Sequence, residues 1–206
     1  MAVATLTRFT VPVASDQSAQ SQGLLMPKLK YRFRVTFDNF GVSTPRTELT
    51  KQVMDFTRPT VSFDDITIDV YNSRVKLAGK HSWGDVTVNV RDDALGTVSR
   101  LVGEQLQKQF DFFEQSSASA GIDYKFTLRC EMLDGGNGVD TPSVLETWEL
   151  YGCFLQEVNY QDLAYNSSDP VTIALTVRFD NALQTPLGDG VGSPNVPRQL
   201  GVTSTG

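Results

Sequence analysis

The strongest constraint in this chain is a single change of hydrophobic period. Apolar and polar residues alternate through most of the sequence, and in one segment, from Leu95 to Phe113, apolar residues recur at three- and four-residue spacing. A period of two sends side chains to opposite faces of a strand, while the longer spacing draws a stripe along a helix. Many segments of the first kind and one of the second predict a mainly β fold with one flanking helix.

The clearest strand starts at Leu29, where Leu29, Tyr31, Phe33, Val35 and Phe37 alternate with Lys30, Arg32, Arg34 and Thr36. A loop through Asn39, Gly41 and Pro45 leads to a short apolar piece at Val53–Phe56. The alternation then slips: Val61 and Phe63 are in one phase, Ile66, Ile68 and Val70 in the other, with Asp64 and Asp65 between them. A one-residue slip moves all later side chains to the opposite face, so the sequence predicts a bulge or a corner there. Val75 and Leu77 continue the pattern, residues 79–84 read as a turn, and Val86, Val88 and Val90 resume it.

The helix is predicted over about 94–117, with Leu95, Val98, Leu101, Val102, Leu106, Phe110 and Phe113 on its inner stripe and Asp92–Asp93 at its N-terminus. Three more strands follow: Tyr124 to Met132; a run within 144–158 carrying Trp148, Leu150 and Phe154; and Val171 to Phe179. The total is seven or eight strands. A Ser- and Gln-rich arm at 1–27 and a Gly- and Pro-rich tail at 184–206 flank one domain at 28–183, for which 206 residues give ample core.

Charge and chemistry exclude most enzyme classes. Eighteen Lys and Arg against 24 Asp and Glu give a net charge of −6, without the basic stripe that grips nucleic acid. His81 is the single histidine, read as an ordinary turn residue, and no Gly-x-Ser-x-Gly elbow occurs, so no catalytic residue is assigned. One His and two distant Cys, Cys130 and Cys153, give no metal-site spacing, and the cysteines read as buried thiols. The loop Asp134 to Pro142 has glycines and carboxylates, but Leu145 stands where a calcium loop needs its bidentate Glu, and a hairpin connection fits better. Gly79-Lys80 lacks the remaining residues of a phosphate loop, Arg74 and His81 standing in their places. No cofactor or metal is expected. No signal-peptide pattern and no membrane-spanning apolar run are present.

The segment Val70-Tyr-Asn-Ser-Arg-Val-Lys-Leu-Ala-Gly-Lys-His-Ser-Trp-Gly-Asp-Val-Thr-Val-Asn-Val-Arg-Asp-Asp93 resembles the tail tube proteins of T-even-like contractile phages. The matching features are Asn72, Arg74, Lys76, Ala78-Gly79, Trp83, Asp85, the strand Val86 to Val90, and Asp92-Asp93. A second match is Trp148-Glu-Leu-Tyr-Gly-Cys-Phe, followed by Asp162-Leu-Ala-Tyr-Asn-Ser-Ser and a closing strand from Val171 to Asp180. The resemblance covers about residues 29–181. The arm, the tail and the 134–142 loop extend beyond the family's compact pattern.

That family is similar in fold to the Hcp ring protein of type VI secretion. The resemblance implies two roughly orthogonal antiparallel sheets with a flanking helix, hexameric rings stacked in a tube, and strands of six subunits joined in a β-barrel around the lumen. It also implies a virion tail built in the host cytoplasm. The implied partners are further copies of the chain, the tail sheath protein, baseplate and terminator proteins, and DNA in transit. The alternatives are a baseplate tube initiator or Hcp-like ring, and, more remotely, a ligand-binding β domain. Asp64, Asp65, Asp69, Glu146 and Glu149 are the candidate lumen-facing carboxylates, whose charge would keep a phosphate backbone sliding. The 1–27 arm and the loop at 39–51 are expected to reach an adjacent ring.

Overall fold

The computed structural model describes residues 28–43, 47–134 and 142–186. The 1–27 arm, the 134–142 loop apart from its ends, and the tail beyond residue 186 lie outside the described residues. Residues 28–32 form a turn of their own: Arg32 N donates to Leu29 O at 3.2 Å, and the Arg32 guanidinium lies 5.4 Å from the Tyr31 ring centre. The strand expected from Leu29 therefore begins at Phe33.

From there the chain runs β1 (Phe33–Asp38), α1 (Thr47–Gln52), β2 (Val53–Phe56), β3 (Val61–Val70), β4 (Ser73–Trp83) and β5 (Val86–Arg91). Next come α2 (Thr97–Gln109), the two-residue strands β6 (Phe110–Asp111) and β7 (Ser116–Ser117), and α3 (Gly121–Tyr124). The chain closes with β8 (Phe126–Leu133), β9 (Val144–Asn159), β10 (Thr172–Arg178) and β11 (Asn181–Pro186). All strand pairings are antiparallel, so the mainly β architecture with few helices is as expected.

The long strand β9 organises the sheets. Its first half lies between β8 and β11, and β1 pairs with the far side of β8. Its second half pairs with β10, and β5 and then β2 follow. The crossing point is Gly152, at φ +68°. The buried residues of β9 change phase across it: Trp148 and Leu150 before, Cys153 and Leu155 after. The sequence reading kept Phe154 in phase with Trp148 and so missed this corner. β10 and β11 run along β9 in succession: β10 is the closing strand expected between Val171 and Asp180, and β11 is a further strand beyond it.

One core fills the space these layers enclose. Val86, Val88 and Val90 of β5 meet Ile173, Leu175 and Val177 of β10; Phe126, Leu128 and Cys130 of β8 meet Leu150 of β9; and Val98, Leu101 and Val102 of α2 close the cluster. Both cysteines are free and buried, and that burial pushes their thiols up to about 12.

The helix is shorter than the stripe suggested. Gly96 adopts φ +65°, and Asp93 Oδ1 accepts from Thr97 N at 2.6 Å, starting α2 two residues after Leu95, which is 90% exposed. Burial opposes charge on Asp93, but hydrogen bonds from Thr97 and Val98 outweigh it and lower the pKa. At the other end Phe110 is extended, and Asp111 Oδ1 accepts from Phe113 N and Glu114 N, making a side-chain turn that halts the helix. Phe113 is left 95% exposed.

Two short helices went unread because four and six residues show no period. α1 lies in the segment read as a stacking loop, yet Leu49 and Phe40 are fully buried. Glu104 of α2 accepts from Val42 N at 2.8 Å, Ser43 N at 2.7 Å and Ser43 Oγ at 2.5 Å. Residues 40–43 are thus fastened to the body. Gln105, a polar residue on the buried face of α2, accepts from Gly41 N at 3.0 Å and donates to Tyr124 O at 2.6 Å.

Candidate assembly surface

Strands β2 and β5 pair at the margin of the second layer, and the same two chain segments continue past it as β3 and β4. Thr57 N donates to Thr87 O and Gly84 N to Thr60 O, both at 2.9 Å, so the ladder carries through the links. The result is a ribbon whose base belongs to the sheet and whose distal part, β3–β4, stands out from it. Every residue of β3 is exposed, and so is every residue of β4 except Gly79 and Trp83, which are half-buried. Among the described residues neither strand has a pairing partner on its outer edge. Two strands alone are marginal in water, and unpaired edges invite another strand.

The slip predicted at Asp64–Asp65 is real. Phe63 pairs with His81 but Asp65 pairs with Ala78, so Asp64 stands opposite two residues, Gly79 and Lys80. A side chain at Gly79 would bring Cβ to 2.9 Å from Asp64 O, which explains glycine at that close approach. The 79–84 segment read as a turn is instead the end of β4, and the turn is at Tyr71-Asn72, where Tyr71 has φ +48° and is 99% exposed.

Below the bulge the ribbon is aromatic on one face. Ring centroids step from Phe179 to Trp83 at 5.7 Å, to His81 at 6.2 Å and to Phe63 at 6.3 Å. His81 is therefore a strand residue in an aromatic ladder and not the turn residue expected. Trp83 Nε1 is buried, and the described residues supply it no acceptor.

Above the bulge alternation separates two faces. Ile66, Ile68, Val70, Val75 and Leu77 form one, each between 46% and 52% exposed. Asp65, Thr67, Asp69, Arg74, Lys76 and Ala78 form the other, where Arg74 Nε meets Asp69 Oδ1 and Lys76 Nζ meets Asp65 Oδ2, each at 2.9 Å. Asp64, Asp65 and Asp69 balance Arg74, Lys76 and Lys80, so the hairpin is neutral while the chain carries −6.

The five candidate carboxylates thus fall into different settings. Asp65 and Asp69 are exposed but compensated, and Asp64 lies on the aliphatic side at the bulge. Glu149 meets Arg129 Nη2 at 2.7 Å and accepts from the Tyr151 hydroxyl. Glu146 is an interior residue: it is 4% exposed and accepts from Trp148 Nε1 at 2.8 Å and Gln184 Nε2 at 2.7 Å. Its alternation with Glu149 could have separated the two, since 146, 148 and 150 share the buried phase and 149 does not.

An open cleft of about 570 Å³ is lined by residues 161–165, 167 and 169–172, among them Asp162, Leu163, Tyr165 and Asp169. No group of three His, Cys, Asp or Glu side chains among the described residues could hold a metal ion. No helix among the described residues is long and apolar enough to cross a membrane.

No family model and no curated protein matches the chain. Solved structures do. A chain of the anti-feeding prophage baseplate, symmetrised six-fold, superposes with a TM-score of 0.59 at 13% identity over 79% of this chain and 98% of its own. The fold recurs in contractile injection assemblies. A chain from the tube-terminating cap of the anti-feeding prophage also gives a TM-score of 0.59, at 14% identity over 85% of this chain and 99% of its own. A chain from the extended sheath-tube complex of the PVC extracellular contractile injection system gives 0.54, at 15% identity over 84% and 100%. At such identities the likeness is one of fold.

Proposed function

We propose that this chain is the tube subunit of a contractile phage tail, forming stacked hexameric rings inside a sheath and enclosing a channel for DNA on its way into the host. The observation that carries this reading is the projecting hairpin. Two strands whose outer edges and aliphatic face have no partner among the described residues reach a stable state by joining strands of other copies, and closure into a ring leaves no edge. The fold shared with chains of injection assemblies supports the same conclusion.

In this reading the virion tail is the place of action, and the sheath, baseplate and terminator proteins are the partners. Asp65, Asp69 and Glu149 line the channel together with the cations beside them. In this reading the 1–27 arm is the segment expected to reach an adjacent ring. The test is negative-stain electron microscopy of the purified protein over a range of concentrations. Hollow tubes or stacked rings support the tube subunit; monodisperse monomers throughout would overturn it. Baseplate and cap chains share this fold, which favours a second reading, an initiator or terminator ring, and single closed rings that never stack would select that one.

A further inference from the structure

We infer that the Gln109 side chain guards an open sheet edge: its amide stands in for a strand on the flank of β9 that β8 leaves, and so keeps the free subunit from adding a strand of a second copy of this chain there.

β9 is 16 residues long, and β8 accompanies it only as far as Cys153, which pairs with Phe126. β10 lies along the second half of β9 on the other flank, the one it shares with β11. On the flank of β8 the described residues place no strand beyond Cys153. The end of α2 comes to this gap instead. Gln109 Nε2 donates to Leu155 O and Leu155 N donates to Gln109 Oε1, both at 2.9 Å. A residue of a paired strand exchanges the same two bonds with its opposite number, one given and one taken. The Tyr124 ring stands edge-on to the neighbouring Phe154, with centroids 6.4 Å apart, and Gln105 holds the Tyr124 carbonyl.

The length of edge left open shows what this contact does. With Leu155 taken, the open flank of β9 is residues 156–159, which include the exposed Glu157. Strands are most often about 5–6 residues long, and short, charged edges are poor templates for another chain. Without Gln109 the open run grows to 154–159, the length of an ordinary strand, and gains the apolar Phe154 and Leu155. The guard can also be withdrawn. Gln109 is the last residue of α2, and Phe110 after it is already extended, so the amide leaves by fraying one helix end. Opening costs little beyond the two hydrogen bonds themselves.

Association of dilute wild-type protein at pH 7 is compared with that of Gln109→Ala, which removes the amide, and Gln109→Glu, whose carboxylate faces Leu155 O without a proton to donate. Gln105→Ala is the control, since it removes hydrogen bonds from the same helix and leaves Leu155 alone. Light scattering gives the rates, and hydrogen exchange reads the amides of 155–159 in the associated material. Loss of two bonds should raise the open population, and the association rate with it, about tenfold or more in both Gln109 variants, with 155–159 protected on association. Gln105→Ala should associate at close to the wild-type rate. A wild-type rate in both Gln109 variants would overturn the guard. Equal acceleration in Gln105→Ala would overturn it too, by tracing the effect to general loosening, and so would fast association that leaves 155–159 exchanging freely. None of these outcomes depends on whether the wild-type chain builds tubes.

Discussion

Gly152 is the residue on which the shared strand turns, and its replacement by alanine tests whether the corner is built as described. At φ +68° an alanine is in the left-handed region, which costs roughly 1–2 kcal/mol relative to glycine. The new Cβ would also fall well inside contact distance of Asp180 Oδ2. That oxygen accepts from Lys125 Nζ at 2.6 Å, so swinging the carboxylate away breaks this ion pair, and the Asp180 Cβ, 3.2 Å from the added Cβ, still presses on the turn between β10 and β11, where Asp180 N donates to Tyr151 O at 3.0 Å. The ion pair is solvent-facing, with side chains 31% and 61% exposed, and contributes under about 1 kcal/mol. A weakened backbone bond at that turn adds about 1 kcal/mol more. Gly152→Ala is therefore expected to cost about 2–4 kcal/mol.

Urea denaturation of dilute protein measures this loss as a shift of the midpoint at constant slope. The same substitution in an Asp180→Ala background separates the terms, because removing the carboxylate removes the collision but leaves the backbone cost. The loss should fall there to about 1–2 kcal/mol. A loss below about 0.5 kcal/mol in the wild-type background, within the usual range of surface changes, would refute the corner. Equal losses in both backgrounds would refute the steric account and leave only the left-handed backbone.

Two other sites give sharp outcomes. Glu146→Leu strands the buried Trp148 Nε1 and removes the acceptor of the half-buried Gln184 Nε2, and should cost about 2–4 kcal/mol by denaturation, whereas Glu149→Gln should cost under about 1 kcal/mol; comparable small effects would show that Glu146 is not an interior acceptor. The Ser43 hydroxyl and N–H, with the Val42 N–H and Arg100, outweigh burial and hold the Glu104 pKa down to about 2, against 4.5 when unperturbed. A depressed acid stabilises the fold above its unfolded pKa and loses that contribution as pH falls through the folded one. Glu104→Gln should thus cost about 1–3 kcal/mol at pH 7, with the gap to wild type closing between about pH 4.5 and 2; a gap independent of pH would refute the role of the charge.

How far the chain could be read in advance depended on whether a structural event left a trace in the hydrophobic phase. The slip between Phe63 and Ile66 did, and the bulge lies at that point. The slip between Leu150 and Cys153 left the same kind of trace, but reading Phe154 instead of Cys153 and Leu155 as the inward residues hid the corner. Phe110 and Phe113 prolonged the helical stripe on paper because periodicity carries no information about Asp111, whose side chain ends the helix by taking backbone N–H groups. Gln105 was invisible for the opposite reason: a polar residue on an apolar stripe reads as an exception, and only its partners on Gly41 and Tyr124 show that it ties two loops to the core. The candidate carboxylates were legible as residues and not as surfaces, since strand alternation tells the two faces apart but not which one a second molecule covers.

The placement of charge makes a last prediction about what drives association. With the hairpin neutral and the excess of −6 on the rest of the chain, copies brought together repel through their bodies and attract through apolar contact and strand edges. Added salt weakens only the first of these, since the screening length shrinks from about 30 Å at 0.01 M to about 10 Å at 0.1 M while apolar burial persists. The critical concentration for assembly, measured by sedimentation, should therefore fall as sodium chloride is raised. A rise would mean that association runs on ionic contacts, and the natural source would be Asp65–Lys76 and Asp69–Arg74 opening within one hairpin to pair with the next. The double variant Asp69→Asn, Arg74→Gln would then reduce assembly sharply, whereas a wet face of self-contained pairs predicts that it assembles as the wild-type chain does.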